Sequence, residues 1–222
     1  MADNVPITAG SGTLIATDDD GTAQHQQVKV EWGANGTFNL VDPVTGKDLP
    51  VQAVTRMVVA AASAMTRPAN TTAYTALDAV SNNTTAGSVT AISFTASDVN
   101  DAPLSLERVR IECSMSGSAI DGKSFRVWLY QSDPTASTGI VGADNAAFST
   151  KKGTYIGSMV GQFKTFSDGS MALCVPEDGA RIITKPTSGA KTIYALLQTL
   201  SDFTPTSGAT FTLTLEALQG RT

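Results

Sequence analysis

The residues of this chain that could do chemistry begin close to its start. Gly10-Ser11-Gly12 is a Gly-x-Gly step, and Asp18, Asp19 and Asp20 stand in a row before Gly21. The first could cradle a phosphate and the second could hold a cation. A dinucleotide loop, however, needs a third spaced glycine between a strand and a helix, and a P-loop needs Gly-Lys-Ser/Thr straight after its glycines; neither completes the Gly10-Ser11-Gly12 step. A calcium loop opening on Asp18 needs a glutamate at its twelfth position, where this chain has Lys29. Glycine here supplies chain freedom, and the acids suit a turn in which they cap nearby amides. The alternative use of the acids is a weak ion site at a seam between subunits. Residues 1–23 therefore read as an extended polar arm.

Other catalytic patterns fail on their partners. A nucleophile needs a base beside it, and the single histidine, His25, lies among glutamines next to that arm. No Gly-x-Ser-x-Gly elbow occurs. Asp133, Asp144, Glu177 and Asp178 fall in turn-like segments, where acids are ordinary, and a carboxylate pair for glycoside hydrolysis is the one enzymatic option they leave open. Cys113 and Cys174 lie in strand-like runs and are expected to be buried, reduced thiols, with a disulfide between facing strands as the alternative. A zinc site would need His25 and a carboxylate as well. The expectation is a non-enzymatic protein with no catalytic, cofactor-binding or metal-ligating residues.

The bulk composition narrows the class of partner. Only 16% of residues are charged, the net charge is −5 and the pI is near 4.8. No basic stripe exists, so nucleic acid is not an expected partner. The longest apolar stretch, Met57–Met65, is far too short to span a bilayer. The opening Met-Ala-Asp-Asn-Val-Pro is polar and acidic and does not read as a secretory leader; synthesis in a cytoplasm is expected.

The elements that must position any site are strands. "QQVKVEW" alternates, with Val28, Val30 and Trp32 on one face, and Asn35-Gly36 follows as a strong hairpin signal. A hairpin of 26–33 with 37–41 is expected. Residues 42–50 form a turn-rich linker. Between 51 and 66, Val51, Val54, Val58, Ala61 and Met65 have helical spacing, yet Val58-Val59 and the run into Pro68 read as strand; the extended reading is preferred. Eight further strands are expected at 73–80, 88–96, 105–114, 124–131, 153–160, 170–175, 191–199 and 209–218. Their faces alternate: Val109, Ile111 and Cys113; Phe125, Val127 and Leu129; Phe211, Leu213, Leu215 and Ala217. Eight short strands separated by turn signals fit an all-β, jelly-roll-like two-sheet β-sandwich. The expected organisation is an arm at 1–23, a β-hairpin and linker segment at 24–66, and the sandwich at 67–222.

Two aromatics stand apart. Trp128 and Tyr130 lie on the face opposite Phe125, Val127 and Leu129. A loop, the N-terminal segment or a neighbouring subunit could cover them, or they could stack on a sugar. Together with Ile7, Leu14 and Ile15 of the arm and Trp32 of the hairpin, they are the candidate interface residues.

Several stretches resemble a known family. "MADNVPITAGSGTLIATDDDGTAQHQQVKV" is similar to the opening of many tailed-bacteriophage virion proteins. "TRPANTTAYTALDAV", "FRVWLYQSDPT", "DNAAFS", "YIGSM" and "FTPTSGATFTLTLEAL" resemble a family of small phage structural proteins commonly encoded near head genes. The likeness is loose over the first third and closer over 66–218. It implies a virion component, foremost a capsid decoration or cement protein on the outer shell, made in the host bacterial cytoplasm. Its implied partners are the major capsid protein and its own copies, as a homotrimer. A head-fibre or tail-associated module that binds host glycan through Trp128, Tyr130 or loop residues such as Asp133 and Asn145 is the alternative, and a neck or tail component a further one.

Overall fold

The computed structural model describes residues 56–60, 64–135, 141–149, 154–179 and 181–220, except for the side chain of Asp178; before residue 56 it describes only the backbone of four short strands. The chain divides into two compact units at 52/53. In the first, β1 (Thr17–Asp19) pairs antiparallel with β2 (Gln24–Gln26), and β3 (Glu31–Trp32) with β4 (Asn39–Leu40). The β3–β4 register, Glu31 opposite Leu40 and Trp32 opposite Asn39, is the one a turn at Asn35-Gly36 requires; the turn itself lies outside the described residues. The β1–β2 ladder runs across the 23/24 boundary expected between arm and hairpin.

The second unit holds β5 (Arg56–Ala60), β6 (Ala64–Thr66), β7 (Ala79–Val80), β8 (Ile92–Thr95), β9 (Leu104–Cys113), β10 (Ser124–Tyr130), β11 (Tyr155–Phe166), β12 (Gly169–Pro176), β13 (Ile182–Thr184), β14 (Thr192–Thr199) and β15 (Thr210–Gln219). One hydrogen-bonded path runs β5-β15-β9-β12-β11-β10-β14-β7, with β6 beside β15, β13 beside β9 and β8 beside β14. The pairs β5/β6, β7/β8 and β12/β13 each occupy a single place in this path. Numbered by chain order, the eight places then stand in the order 1-8-3-6-5-4-7-2, every neighbour antiparallel. That is the wrapped order of a jelly roll.

The path folds over on itself. In a flat sheet β10 and β15 would lie four strand spacings, about 19 Å, apart. The rings of Phe125 on β10 and Phe211 on β15 are nevertheless 5.9 Å apart. Two layers therefore face each other, joined through the β11–β12 ladder. The three predicted apolar faces all point into the space between them, where Phe163, Met159, Ile193 and Phe94 complete the core. Fully burying side chains of this size contributes about 1.5–3 kcal/mol each before entropy is set against it.

Differences from the sequence reading have local causes. The strand expected at 73–80 contracts to Ala79–Val80 and two isolated bridges, Tyr74 to Phe203 and Asp78 to Ala147. Leu77 has a φ of 78°, which no strand continues through. β13 has only three residues and shows no alternation to read. Residues 56–60 and 64–66 are strands, as the extended reading held, and they pair with β15 as the first place of the sandwich rather than with the hairpin segment.

Candidate functional site

The densest polar cluster is buried. Arg67 precedes Pro68, so its backbone is pushed to the extended region, and its N–H bonds Ala209 O at 3.0 Å. That places the guanidinium inside. Nε donates to Tyr74 Oη (2.8 Å), Nη1 to the carbonyls of Asn70 (2.8 Å) and Thr206 (3.3 Å), and Nη2 to Asn70 Oδ1 (3.2 Å) and Asp144 Oδ2 (3.0 Å). All five N–H donors of the fork thus have acceptors. Asp144 also accepts from Tyr74 Oη and from the Ser81 N–H at 3.1 Å. Arg67 and Asp144 side chains have no solvent exposure. Burial, reinforced by the Asp144 carboxylate, holds the Tyr74 phenol well above its usual range, so it keeps its proton at neutral pH. With every lone group engaged, this cluster ties the 141–149 segment to 67–74.

That segment covers the outward aromatics. Phe148 stacks on Trp128 with centroids 5.1 Å apart, and Val141 packs with Tyr130, Val89 and Leu196. Tyr130 is fully buried, so it presents no ring to a sugar or a second subunit. Trp128 is half-buried: its Nε1 donates to Gln198 Oε1 at 3.0 Å, Arg126 lies over its ring, and Tyr155 leans against it. Of the alternatives for this pair, cover by the chain's own loops is the arrangement observed.

Two more of the candidate acids, Glu177 and Asp133, are tied locally. Glu177 receives Nε and Nη2 of Arg126 at 3.0 and 2.5 Å and the Ser158 hydroxyl at 2.6 Å. The Arg126 bonds, then the Ser158 bond, hold its carboxyl below the usual range. Asp133 Oδ1 accepts from the amide and hydroxyl of Thr135, an Asx turn. Asn145 adopts a φ of 58° and donates its N–H to Ala79 O. Cys113 and Cys174 are free and buried, and burial pushes their thiols up to about 11 and about 12. His25 is placed opposite Asp18 in the β1–β2 ladder by backbone alone. Ile7, Leu14 and Ile15 and the side chain of Trp32 lie outside the described residues. Among the described residues no group of three or more His, Cys, Asp or Glu is gathered as a metal set.

The two outer faces of the sandwich differ. The face over β10 and β14 carries the cover just described. The face of β5, β15, β9, β12 and β13 exposes Met57, Val59, Leu173, Val175 and Ile183. Between them run polar rows: Arg108 bonds Glu216 at 2.6 Å, with Val59 beside Glu216 and Leu173 beside Arg110. The sequence held a signal for this. In "SMALCV" both parities are apolar, Ala172 and Cys174 inward and Met171, Leu173 and Val175 outward, where a half-solvated strand would alternate with polar residues.

At one end of this face lies a hollow of about 540 Å³, bounded by Glu112, Ser114, Phe166, Asp168, Met171 and Thr212. Gly169, opposite Phe166 across the β11–β12 turn, also lines it. A Cβ there would meet Cys113 O at 2.7 Å, and the φ of 150° excludes one.

No protein-family model, curated protein or solved structure matches the chain. Geometry alone therefore defines the class: a jelly-roll β-sandwich with one face closed by its own loops and the other open and partly apolar.

Proposed function

We propose that this protein is a non-enzymatic virion structural component, a decoration or cement protein that binds the outer surface of a tailed-phage capsid. It does so as a homo-oligomer, a trimer, that clamps neighbouring major capsid subunits. The observation that carries the reading is the open sheet face. Aliphatic side chains at Met57, Val59, Leu173, Val175 and Ile183, the last 76% exposed, make a surface suited to protein contact rather than to water. Asp133, Asp144 and Glu177, the acids weighed for catalysis whose side chains are described, are tied into structural bonds. The likeness of 66–218 to small phage structural proteins points the same way.

The arm contributes by crossing onto the shell. A segment that orders on contact covers much surface for its length at an entropic cost. The test is sedimentation of purified protein with empty shells. Full-length chain co-sediments, and deletion of residues 1–23 weakens binding while the sandwich stays folded by circular dichroism. Equal binding by both would remove the arm from the account. Native mass measurement separates a trimer from the hexameric or dodecameric ring of a neck or tail component.

A further inference from the structure

We infer that the hollow at the β11–β12 turn is a binding subsite for a neutral saccharide. Phe166 stands 51% exposed at its rim, offering an aromatic face for the C–H surface of a sugar ring. Two carboxylates flank it. Asp168 has no hydrogen bond or ion pair among the described residues. Glu112 has only a loose 3.5 Å approach from Arg110 Nε. Both keep lone pairs free to accept from hydroxyl groups. Ser114 and Thr212, the latter beside Glu112 in the β9–β15 ladder, add donors.

The floor is also incompletely satisfied. Ser170 lines the hollow, is 5% exposed and has an Oγ shut from solvent with no hydrogen-bond partner. The Cys113 thiol beside it is a weak partner.

The class of ligand follows by comparison. Among the described residues no lysine or arginine lines the hollow, so the unpaired Asp168 carboxylate and Glu112, met only by Arg110 at 3.5 Å, disfavour phosphate, sulfate and sialic or uronic acids. A bare cation would use the carboxylates but not the exposed ring. A neutral hexose or hexosamine uses both. The volume lies within the range of about 300–1,000 Å³ usual for small-molecule sites. This subsite is not the Trp128–Tyr130 face read from the sequence, and it does not depend on the capsid proposal.

The full-length protein is screened on an array of neutral and anionic oligosaccharides, and the strongest neutral ligand is titrated by two-dimensional NMR. The expected result is saturable binding with shifts at the amides of 112, 114 and 166–171. Phe166→Ala weakens it at least tenfold and Asp168→Asn at least threefold. Both side chains are on the surface, and unchanged thermal melting shows that the variants fold. Retention of no saccharide, retention of anionic saccharides only, or binding that both variants leave unchanged would overturn the assignment. Shell binding by Phe166→Ala is expected at the level of the parent, which keeps this result separate from the capsid test.

Discussion

At the scale of single residues, the account rests on Arg67 and Asp144. Removing one partner of a buried ion pair strands the other charge, at about 3–5 kcal/mol. Asp144→Ala should therefore lower unfolding stability in urea by about that much. The double variant Arg67→Met with Asp144→Leu should lose less than Asp144→Ala alone, because no unpaired charge remains. From the sequence, Asp144 reads as an ordinary turn acid, since its partner lies 77 positions away and only the fold brings them together.

Two pH effects follow at the same scale. Glu177 has a lowered folded pKa, so its share of stability is fully present above its ordinary value of 4.5 and is lost as pH falls below that through the folded value. Glu177→Gln should flatten the acid limb of a stability-against-pH curve, measured by denaturant midpoints. The thiols act in the opposite sense. Their folded pKa values are raised, so their contribution is complete below 9.0 and declines as pH rises toward about 11 for Cys113 and about 12 for Cys174. Iodoacetamide at pH 8 should label neither cysteine in the native protein and both in urea, read by intact mass.

At the scale of elements, close strand packing sets what the sheet tolerates. A Cβ on Gly161 of β11 would lie 2.5 Å from Leu173 O and 2.7 Å from Cys174 Sγ of β12. The obstacle is backbone, which cannot rotate aside. Gly161→Ala should cost about 1–3 kcal/mol, with an unchanged core judged by near-ultraviolet circular dichroism at low temperature. A smaller effect than about 0.5 kcal/mol would mean that the β11–β12 ladder is looser than described. Strands whose two faces meet different surroundings were legible in the sequence: β9, β10 and β15 alternate cleanly because one side is core and the other polar. β13 was not, being three residues long, too short for a period of two to show, and β7 was legible only as the end of the longer strand expected at 73–80. The aromatic pair Trp128 and Tyr130 was legible as an outward apolar spot, but which loop covers it was not, because 141–149 is held there by backbone bonds to 77–83 and by the distant Arg67 tie.

At the scale of the whole molecule, the jelly-roll order was legible as a count of strands and turns, and its wrapped pairing followed from the fold. The asymmetry of its two faces was half legible. The doubly apolar run at 171–175 pointed to a second buried side on β12, while Met57, Val59 and Ile183 join that face only once β5 and β13 take their places. The saccharide hollow was hidden because Glu112, Asp168 and Thr212 come from two strands and a turn, with no motif spacing. A low-charge sandwich with one bare face and an acidic opening segment is suited to assembly on a larger surface, where the bare face meets a partner. The most direct measurement is a cryo-EM reconstruction of the particles assembled by the genome that encodes this chain. The account predicts jelly-roll density in threes on the outer shell, with β5, β12 and β13 turned toward a neighbouring subunit or the capsid. A shell without such density, or the chain confined to the neck or tail, would contradict it.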